Sequence, residues 1–251
     1  MEQKLSLSVV IPTYNEQARL GATLSRLSTL ATDFRSLEVI VSDDGSNDNT
    51  LQIAESWREA FDLKLLRNQH LGPGEAIRRG VLASSHPWVL LSDADGPVAF
   101  ETTHSMVEFA QTHELDVLSG RRVGPDARIA HPQPYHRQLM GHLWRQFVRF
   151  GLGTPFRDPQ CGFKVFRGDS ARRLFALTTS QSFGIHVETM MMAASMGLLV
   201  DEYPVNWGDR DGSKIRPIRD SVAMLREAIY ARRKADIYRS HSSQASRATI
   251  L

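Results

Sequence analysis

The 251-residue sequence lacks three features that would each point to a particular class of protein. Its single cysteine, Cys161, rules out an internal disulfide and fits a reducing compartment. The formal net charge of +2 argues against a dedicated nucleic-acid binder, because such proteins depend on a strong basic excess. No apolar run approaches the roughly 18 residues that a membrane span needs, and the N-terminus has no signal-peptide pattern. We therefore expect a cytoplasmic protein that makes only peripheral contact with membranes.

Four short apolar segments in the first part of the chain predict strands, at residues 5–11, 37–41, 63–66 and 88–92. Between them, apolar residues recur at helical spacing. Asn15 can cap the first of these helices, and Ser46 or Asn47 can cap the second. The alternation predicts an α/β fold with a largely parallel, Rossmann-like sheet flanked by helices. Ligands of such sheets bind beyond the carboxyl ends of the strands.

The rest of the chain has a different pattern. Residues 121–137 are rich in Arg, His and Pro and predict a mobile loop. Further helices are predicted over 139–150, 170–175 and 187–196, and further strands over 162–166 and 199–205. From Ile218 an apolar stripe runs among basic residues, which is typical of a basic amphipathic helix. Such a helix can lie on an anionic membrane or pack on its own domain, and both alternatives remain open.

Acidic residues follow two of the predicted strands. Asp93 and Asp95 stand two positions apart after the fourth strand, where both carboxylates can face one ligand. Such a pair suits a hard divalent cation that bridges phosphate oxygens, although a simple polar turn is the alternative. Asp43 and Asp44 begin a DDGS segment that is itself typical of a strand-to-helix turn.

Several cations lie in polar or Gly-containing loops of the second half: Arg121, Arg122, Arg137, Arg210 and Lys214. Arginine and lysine commonly balance the charge of a diphosphate leaving group. For each residue taken alone, a solvated surface position is the alternative.

Taken in order, the motifs of residues 5–235 resemble the family-two glycosyltransferases of the GT-A fold. The broad family is marked by VVIPTYNE at 9–16, SDDGSNDNT at 42–50 and SDADG at 92–96. Three later motifs are similar to the branch that glucosylates dolichyl and polyprenyl phosphates: DPQCGFKVF at 158–166, FGIHVE at 183–188 and VNWGDRDGSK at 205–214.

The resemblance assigns roles by motif position. It implies that the nucleotide-sugar is bound by Pro12, Tyr14, Glu16, Asp43, Asp44, Asp93, Ala94, Arg210 and Ser213. It implies catalytic roles for Asp95, Arg121, Arg137 and Lys214. Asp93 and Asp95 would hold the metal. Residues near the sugar and the acceptor would be Gln160, Glu188 and Asp158.

The same resemblance implies one GT-A domain over 1–235 and a disordered tail over 240–251. Within the domain, 1–97 would bind the nucleotide, 98–215 the acceptor, and 216–235 would form the basic amphipathic helix. The implied reaction is an inverting transfer of a hexose from a nucleotide-sugar, with a UDP-sugar favoured, to a polyprenyl or dolichyl phosphate. Mg²⁺ or Mn²⁺ would assist it. Pro97, where mannose-transferring relatives favour Gln, argues against mannose, and glucose is the hexose that the resemblance favours.

Two other functions remain open at this stage. A glycosyltransferase with a small hydroxyl acceptor would need a general base, for which Glu188 or Asp158 is the candidate. A non-catalytic protein that binds nucleotide-sugars or a membrane surface is the second alternative, and it would not require the acidic pair and the basic residues to be kept together.

Overall fold

The computed structural model describes residues 4–124, 126–127, 135–208 and 217–248. The described residues form one seven-stranded sheet. Its strands are β1 (Ser6–Thr13), β2 (Ser36–Asp43), β3 (Asp62–Arg67), β4 (Trp88–Leu91), β5 (Val117–Arg121), β6 (Lys164–Arg167) and β7 (Val200–Pro204). The spatial order is β3-β2-β1-β4-β6-β5-β7.

Eight helices accompany the sheet within the same described ranges. They are α1 (Leu20–Ser28), α2 (Thr50–Glu55), α3 (Pro73–Leu82), α4 (Thr102–Thr112), α5 (Tyr135–Gln146), α6 (Gly168–Ala176), α7 (Ile185–Ser195) and α8 (Pro217–Ala248). A π-helical turn, Phe147–Gly151, continues α5 directly.

The predicted parallel sheet is confirmed for most of its strands. β3, β2, β1 and β4 run parallel, as do β5 and β7. β6 is the exception, because it pairs antiparallel with both β4 and β5. The start of β6 therefore lies beside the carboxyl end of β4. This reversal brings the loop before Lys164 to the edge of the sheet at which the ligand was expected.

Two apolar cores cover the two faces of the sheet. Val9 and Ile11 of β1 face one core, which contains apolar residues of α1 and α4. Val10, between them, faces the other core, which contains apolar residues of α3, α6 and α7. This alternation follows from the period of two in a strand, and the result is a three-layer α/β sandwich.

The predicted helix caps are wrong. Asn15 has a φ of 53° and its Oδ1 accepts a hydrogen bond from the amide of Asn47, while α1 starts only after Arg19 and without a side-chain cap. Ser46 instead donates to the carboxylate of Asp43. The cap-forming side chains are used to join the loop after β1 to the loop after β2.

α8 is longer than predicted. The expected boundary was residue 235, followed by a disordered tail over 240–251, but the helix continues to Ala248. Between 218 and 248 the sequence contains neither Gly nor Pro, so no residue there interrupts the helix. Within the described part of the chain, no helix combines the length and apolar character needed to cross a bilayer.

Glu38 of β2 is a fully buried carboxylate at the amino-terminal side of the sheet. It accepts hydrogen bonds from the hydroxyl of Ser8 and from the amide and hydroxyl of Ser85, and it pairs with Lys64 Nζ at 2.5 Å. Burial acts to raise the pKa of Glu38, but these hydrogen bonds outweigh it and lower the pKa from 4.5 to about 2.

We predict that Glu38→Gln lowers the free energy of unfolding at pH 7 by about 2 kcal/mol, as measured by urea denaturation. Since the folded-state pKa is lowered, this contribution is present above pH 4.5 and is lost as the pH falls toward 2. The difference between wild type and variant should shrink over that range. Glu55→Gln is the matched control, because Glu55 and Arg58 form an exposed pair and its loss should change stability little. A difference that stays constant down to pH 2 would contradict this assignment.

Candidate active site

The segment after β4 forms a tight turn that α1 holds in place. The amide of Gly96, with a φ of 50°, donates to the carbonyl of Asp93 at 3.0 Å. Thr23 Oγ1 of α1 donates to the Ala94 carbonyl at 2.8 Å, and Arg26 Nη1 donates to the Gly96 carbonyl at 3.2 Å. These contacts fix the backbone of residues 93–96, so the two aspartates are presented in a defined geometry at the end of the sheet.

The two carboxylates of this turn have different surroundings. Asp93 lies against Gly162, where a Cβ would stand 2.2 Å from Asp93 Oδ2. Burial and the charge of Asp95 raise the pKa of Asp93 to about 6, although Arg122 acts in the opposite direction. Asp95 is half-buried, and its Oδ2 lies 3.8 Å from Arg19 Nη1.

Glu16 completes the acidic cluster. Both of its carboxylate oxygens accept hydrogen bonds of 2.8 Å from the guanidinium of Arg19, the residue that also reaches Asp95. The loop after β1 is thereby linked to the turn after β4. The structure thus places Glu16 near Asp93 and Asp95, and the roles assigned to these residues stay predictions.

Asp93 and Asp95 suit a divalent cation whose remaining coordination positions are filled by phosphate and water. The repulsion between Asp93 and Asp95 would be relieved by a cation between them. No group of three or more His, Cys, Asp and Glu side chains suited to a metal occurs among the described residues. Mg²⁺ and Mn²⁺ commonly accept one or two carboxylates and take their remaining ligands from phosphate and water.

Asp43 and Asp44 support the turn after β2 through their own hydrogen bonds. Asp43 accepts from the hydroxyls of Thr13 and Ser46 and from the amides of Gly45 and Ser46. It is almost fully buried. Both of its oxygens are engaged, as the turn interpretation predicts. Its assignment to the nucleotide base stays a prediction.

Asp44 holds the neighbouring loop in a similar way. It accepts from the amides of Leu71 and Gly72 and contacts His70 Nδ1 at 2.8 Å. The His70 ring stacks on Tyr14, with centroids 4.3 Å apart and planes 16° apart. The sequence reasoning named Tyr14 and Asp44 but missed His70, which connects them. The stacked pair forms a flat aromatic surface beside the loop after Pro12.

Among the predicted cations, the structure separates Arg121 from its neighbour. The guanidinium of Arg121 turns back to the carbonyl of Val123. Arg122 directly follows β5. Its guanidinium lies 5.8 Å from the centre of the Trp207 ring, and its charge acts on Asp93. Of Arg121 and Arg122, it is therefore Arg122 whose charge acts on the acidic turn. The catalytic role assigned to Arg121 remains a prediction.

Asp158, a predicted acceptor residue, is held by Arg122. Its two oxygens accept from Arg122 Nε at 2.8 Å and Arg122 Nη2 at 2.9 Å, and the Arg122 amide also donates to it. Burial acts to raise the pKa of Asp158, but the charge and hydrogen bonds of Arg122 outweigh it and keep the pKa below its ordinary value. A fully buried carboxylate in this state is poorly suited to accept a proton.

Glu188, the other candidate base, is also fully buried in an ion pair. It accepts from the amides of Thr179 and Ser180 and from Lys234 Nζ at 2.8 Å. Burial acts to raise the pKa of Glu188, but these hydrogen bonds lower it below its ordinary value. Glu188 thus ties α7 and α8 to the segment between α6 and α7, and its predicted contact with the sugar stays a prediction.

Lys164 is a functional neighbour that the sequence reasoning missed. It is fully buried at the start of β6, and Nζ donates to Ser119 Oγ, to the Pro159 carbonyl at 2.9 Å and to the Cys161 carbonyl. Burial lowers the pKa of Lys164 to about 8. The feature of the sequence that could have identified Lys164 is the presence of a lysine inside an otherwise apolar strand segment. Cys161, in the same loop, is a buried thiol.

A cavity of about 420 Å³ opens beside this loop. Its lining includes Arg122, Tyr135, Leu139, Trp144, Gln160 and Trp207. Gln160 and Arg122 therefore line the same cavity, and the predicted place of Gln160 near the acceptor stays a prediction. The Gln160 amide contacts the sulfur of Met224 in α8 at 3.9 Å.

The remaining predicted residues are described only in part. Arg137 lies in α5, but its side chain is outside the described structure. Arg210, Ser213 and Lys214 lie outside the described residues, as does much of the predicted loop over 121–137.

Comparison with known proteins links these motifs to a family. The sequence model of Glycosyl transferase family 2 matches residues 8–175. The chain is 30% identical over 240 residues to a dolichyl-phosphate beta-glucosyltransferase of Dictyostelium discoideum, covering 90% of this chain and 73% of that protein. It is 29% identical over 243 residues to the Homo sapiens protein of the same name, covering 90% and 74%.

The fold is similar to that of a solved glycosyltransferase. The structure resembles glucosyl-3-phosphoglycerate synthase from Mycobacterium tuberculosis, crystallised with Mn²⁺, UDP-glucose and phosphoglyceric acid, with a TM-score of 0.64. The two proteins are 19% identical, and the match covers 92% of this chain and 80% of the other. At this identity the likeness shows a shared GT-A fold.

The contact between Asp93 and Gly162 yields a prediction about stability. A methyl group at residue 162 must displace the Asp93 carboxylate, so Gly162→Ala should lower the free energy of unfolding by about 1–3 kcal/mol. Gly21→Ala is the control, because its new Cβ would meet only Ile53 at an ordinary 3.6 Å, and alanine favours the helix. Urea denaturation of both variants checks this. Equal stability of Gly162→Ala and wild type would show that the contact is not tight.

Proposed function

This chain belongs to glycosyl transferase family 2, and we propose that it transfers glucose from UDP-glucose to the phosphate of a polyprenyl phosphate. An oxygen of the acceptor phosphate would attack the anomeric carbon of glucose with inversion, and UDP would leave. The names of its relatives in Dictyostelium discoideum and Homo sapiens, matched over 90% of this chain, support the glucose and the lipid phosphate. The UDP donor is supported by the nucleotide-sugar bound in the structural neighbour.

This proposal rests on the burial and ion pairing of the two candidate bases, Asp158 and Glu188. Asp158 and Glu188 are fully buried, each is paired with a cation, and each has a lowered pKa. A hydroxyl acceptor must lose a proton to a base during the reaction, whereas a phosphate acceptor is already anionic. The site therefore suits a phosphate nucleophile better than a hydroxyl. This favours the lipid-phosphate function over the small-hydroxyl alternative.

On the donor side, the chain supplies positioning and charge. We propose that Tyr14, held by the stacked His70, provides a flat surface for the uracil ring. Asp93 and Asp95 would hold Mg²⁺ or Mn²⁺ on the diphosphate, and the cation, when bound, would supply charge stabilisation for the departing UDP. Thr23 and Arg26 keep both carboxylates in place.

On the acceptor side, Arg122 is the described cation best placed for the lipid phosphate. It lines the cavity with Gln160 and Trp207, and Asp158 fixes its guanidinium through two hydrogen bonds. A guanidinium oriented in this way is suited to a phosphate group. The resemblance adds Arg121, Arg137, Arg210, Ser213 and Lys214 as further phosphate contacts in this proposal. A polyprenyl acceptor would place the reaction at a membrane surface.

Asp95→Asn tests the proposal. With UDP-glucose, Mn²⁺ and detergent-dispersed polyprenyl phosphate, we expect this variant to form lipid-linked glucose at least about a hundredfold more slowly than wild type. The amide removes the charge that the cation needs but keeps the size of the side chain.

Asp169→Asn is the matched control, because the Asp169 carboxylate is exposed on α6 and pairs with Arg172. It should leave the rate unchanged. Transfer by Asp95→Asn at the wild-type rate would rule out the acidic turn as the catalytic centre. An absence of lipid product with the wild type would overturn the proposed acceptor.

A further inference from the structure

α5 and the π-helical turn that continues it expose an apolar stripe. The large exposed side chains of this segment are Tyr135, Leu139, Met140, Leu143 and Phe150. Leu139 and Leu143 are four residues apart, so they lie on the same side of the helix. On a water-facing surface, a run of large apolar groups of this kind indicates a partner.

α8 exposes a second group of apolar side chains beside the first. Its inner side is formed by Ala228, Ala231 and Ala235, which are buried. Its exposed large apolar side chains are Leu225, Ile229, Tyr230 and Ile237.

A direct hydrogen bond joins the two segments. Arg232 Nη1 of α8 donates to the Leu152 carbonyl at 2.6 Å, immediately after the π-helical turn that carries Phe150. α8 therefore lies next to the segment that follows α5, and we term the exposed apolar residues of the two segments together the apolar face.

Arginines accompany the apolar face. The Arg149 guanidinium lies 5.3 Å from the centre of the Phe150 ring. Arg226, Arg233 and Arg239 are exposed along α8. Exposed arginines among large apolar groups are complementary to a bilayer surface that carries anionic lipid headgroups. A bilayer with anionic headgroups matches the apolar groups and the arginines at once, whereas a water-soluble partner would have to supply both an apolar patch and acidic groups.

The apolar face also leads to the proposed acceptor site. Tyr135 and Leu139 belong to it and at the same time line the cavity that contains Arg122 and Gln160. A polyprenyl phosphate has its chain in the bilayer and its phosphate at the surface. A cavity whose rim is part of a membrane-docking surface could receive that phosphate without removing the lipid from the bilayer.

We infer that the apolar face of α5 and α8 docks on the surface of a bilayer that contains anionic lipids, so that the cavity beside Arg122 opens toward the membrane. The role of the cavity rests on the proposed function, but the docking can be measured without any sugar transfer. α8 would therefore contact both the membrane and its own domain.

Co-sedimentation with phospholipid vesicles tests the docking. Wild type should bind vesicles of phosphatidylcholine and phosphatidylglycerol at least about tenfold more tightly than vesicles of phosphatidylcholine alone. Leu143→Glu should weaken binding to the mixed vesicles by about tenfold or more, because it puts a carboxylate into the apolar stripe. Phe150→Ser, a second variant on the same face, should also weaken it.

Leu199→Glu is the matched control. Leu199 is 53% exposed and Leu143 is 54% exposed, but Leu199 lies at the start of β7, outside the apolar face. It should bind vesicles as wild type does. Failure of wild type to bind the mixed vesicles, or equal losses in the two Glu variants, would overturn the inference. A dimer that Leu143→Glu dissociates, without vesicle binding by wild type, would assign the face to a second copy of the chain instead.

Glucose transfer separates this inference from the proposed function. Leu143 does not line the cavity, so Leu143→Glu should match wild type on detergent-dispersed polyprenyl phosphate and fall behind it on vesicle-embedded acceptor. Vesicle binding without transfer in detergent would overturn the proposed function and leave the docking supported. Transfer in detergent without vesicle binding would overturn the docking and leave the proposed function supported.

Discussion

The contact of the Asp93 carboxylate with Gly162 is the constraint on which the site depends. It joins the turn after β4 to the loop before β6, and the antiparallel course of β6 makes that meeting geometrically available. Lys164 holds the same loop from inside by bonding the carbonyls of Pro159 and Cys161. A fully buried lysine and a partly buried aspartate are both costly to desolvate, so their presence next to one loop indicates that its shape matters to the site.

Much of the fold could be predicted from the sequence, because the first four strands and their helices have clear apolar periodicity. The reversal of β6 could not, since a short apolar strand carries no signal for its direction. α4 and β5, over 102–121, were not predicted at all. The caps were wrongly predicted because Asn15 and Ser46 bond between loops that are 31 residues apart in the chain. Rules that use only the local sequence cannot predict hydrogen bonds between residues so far apart in the chain.

The candidate site, like the fold, could be predicted from the sequence only in part. Motif order assigned Glu16 to the nucleotide-sugar and Asp93 and Asp95 to the metal, and the structure links Glu16 to Asp95 through Arg19. Motif order could not show that the charge of Arg122 acts on Asp93 while the Arg121 guanidinium turns back to Val123, because that depends on how the chain folds at the end of β5. Nor could it show that the predicted bases Asp158 and Glu188 are buried in ion pairs. Their burial is a tertiary property, and it favours the phosphate acceptor that the motifs implied over the hydroxyl acceptor that had remained open.

The central claim is that the acceptor must bring its own negative charge, because the predicted bases are not available. The most direct test gives the wild-type enzyme UDP-glucose and Mn²⁺ with two lipids of identical chain, a polyprenyl phosphate and the corresponding polyprenol, and measures glucosylated lipid over time. The structure predicts glucosylated product from the phosphate and none above background from the alcohol. Equal transfer to both lipids would contradict it, because the enzyme would then have to deprotonate a hydroxyl.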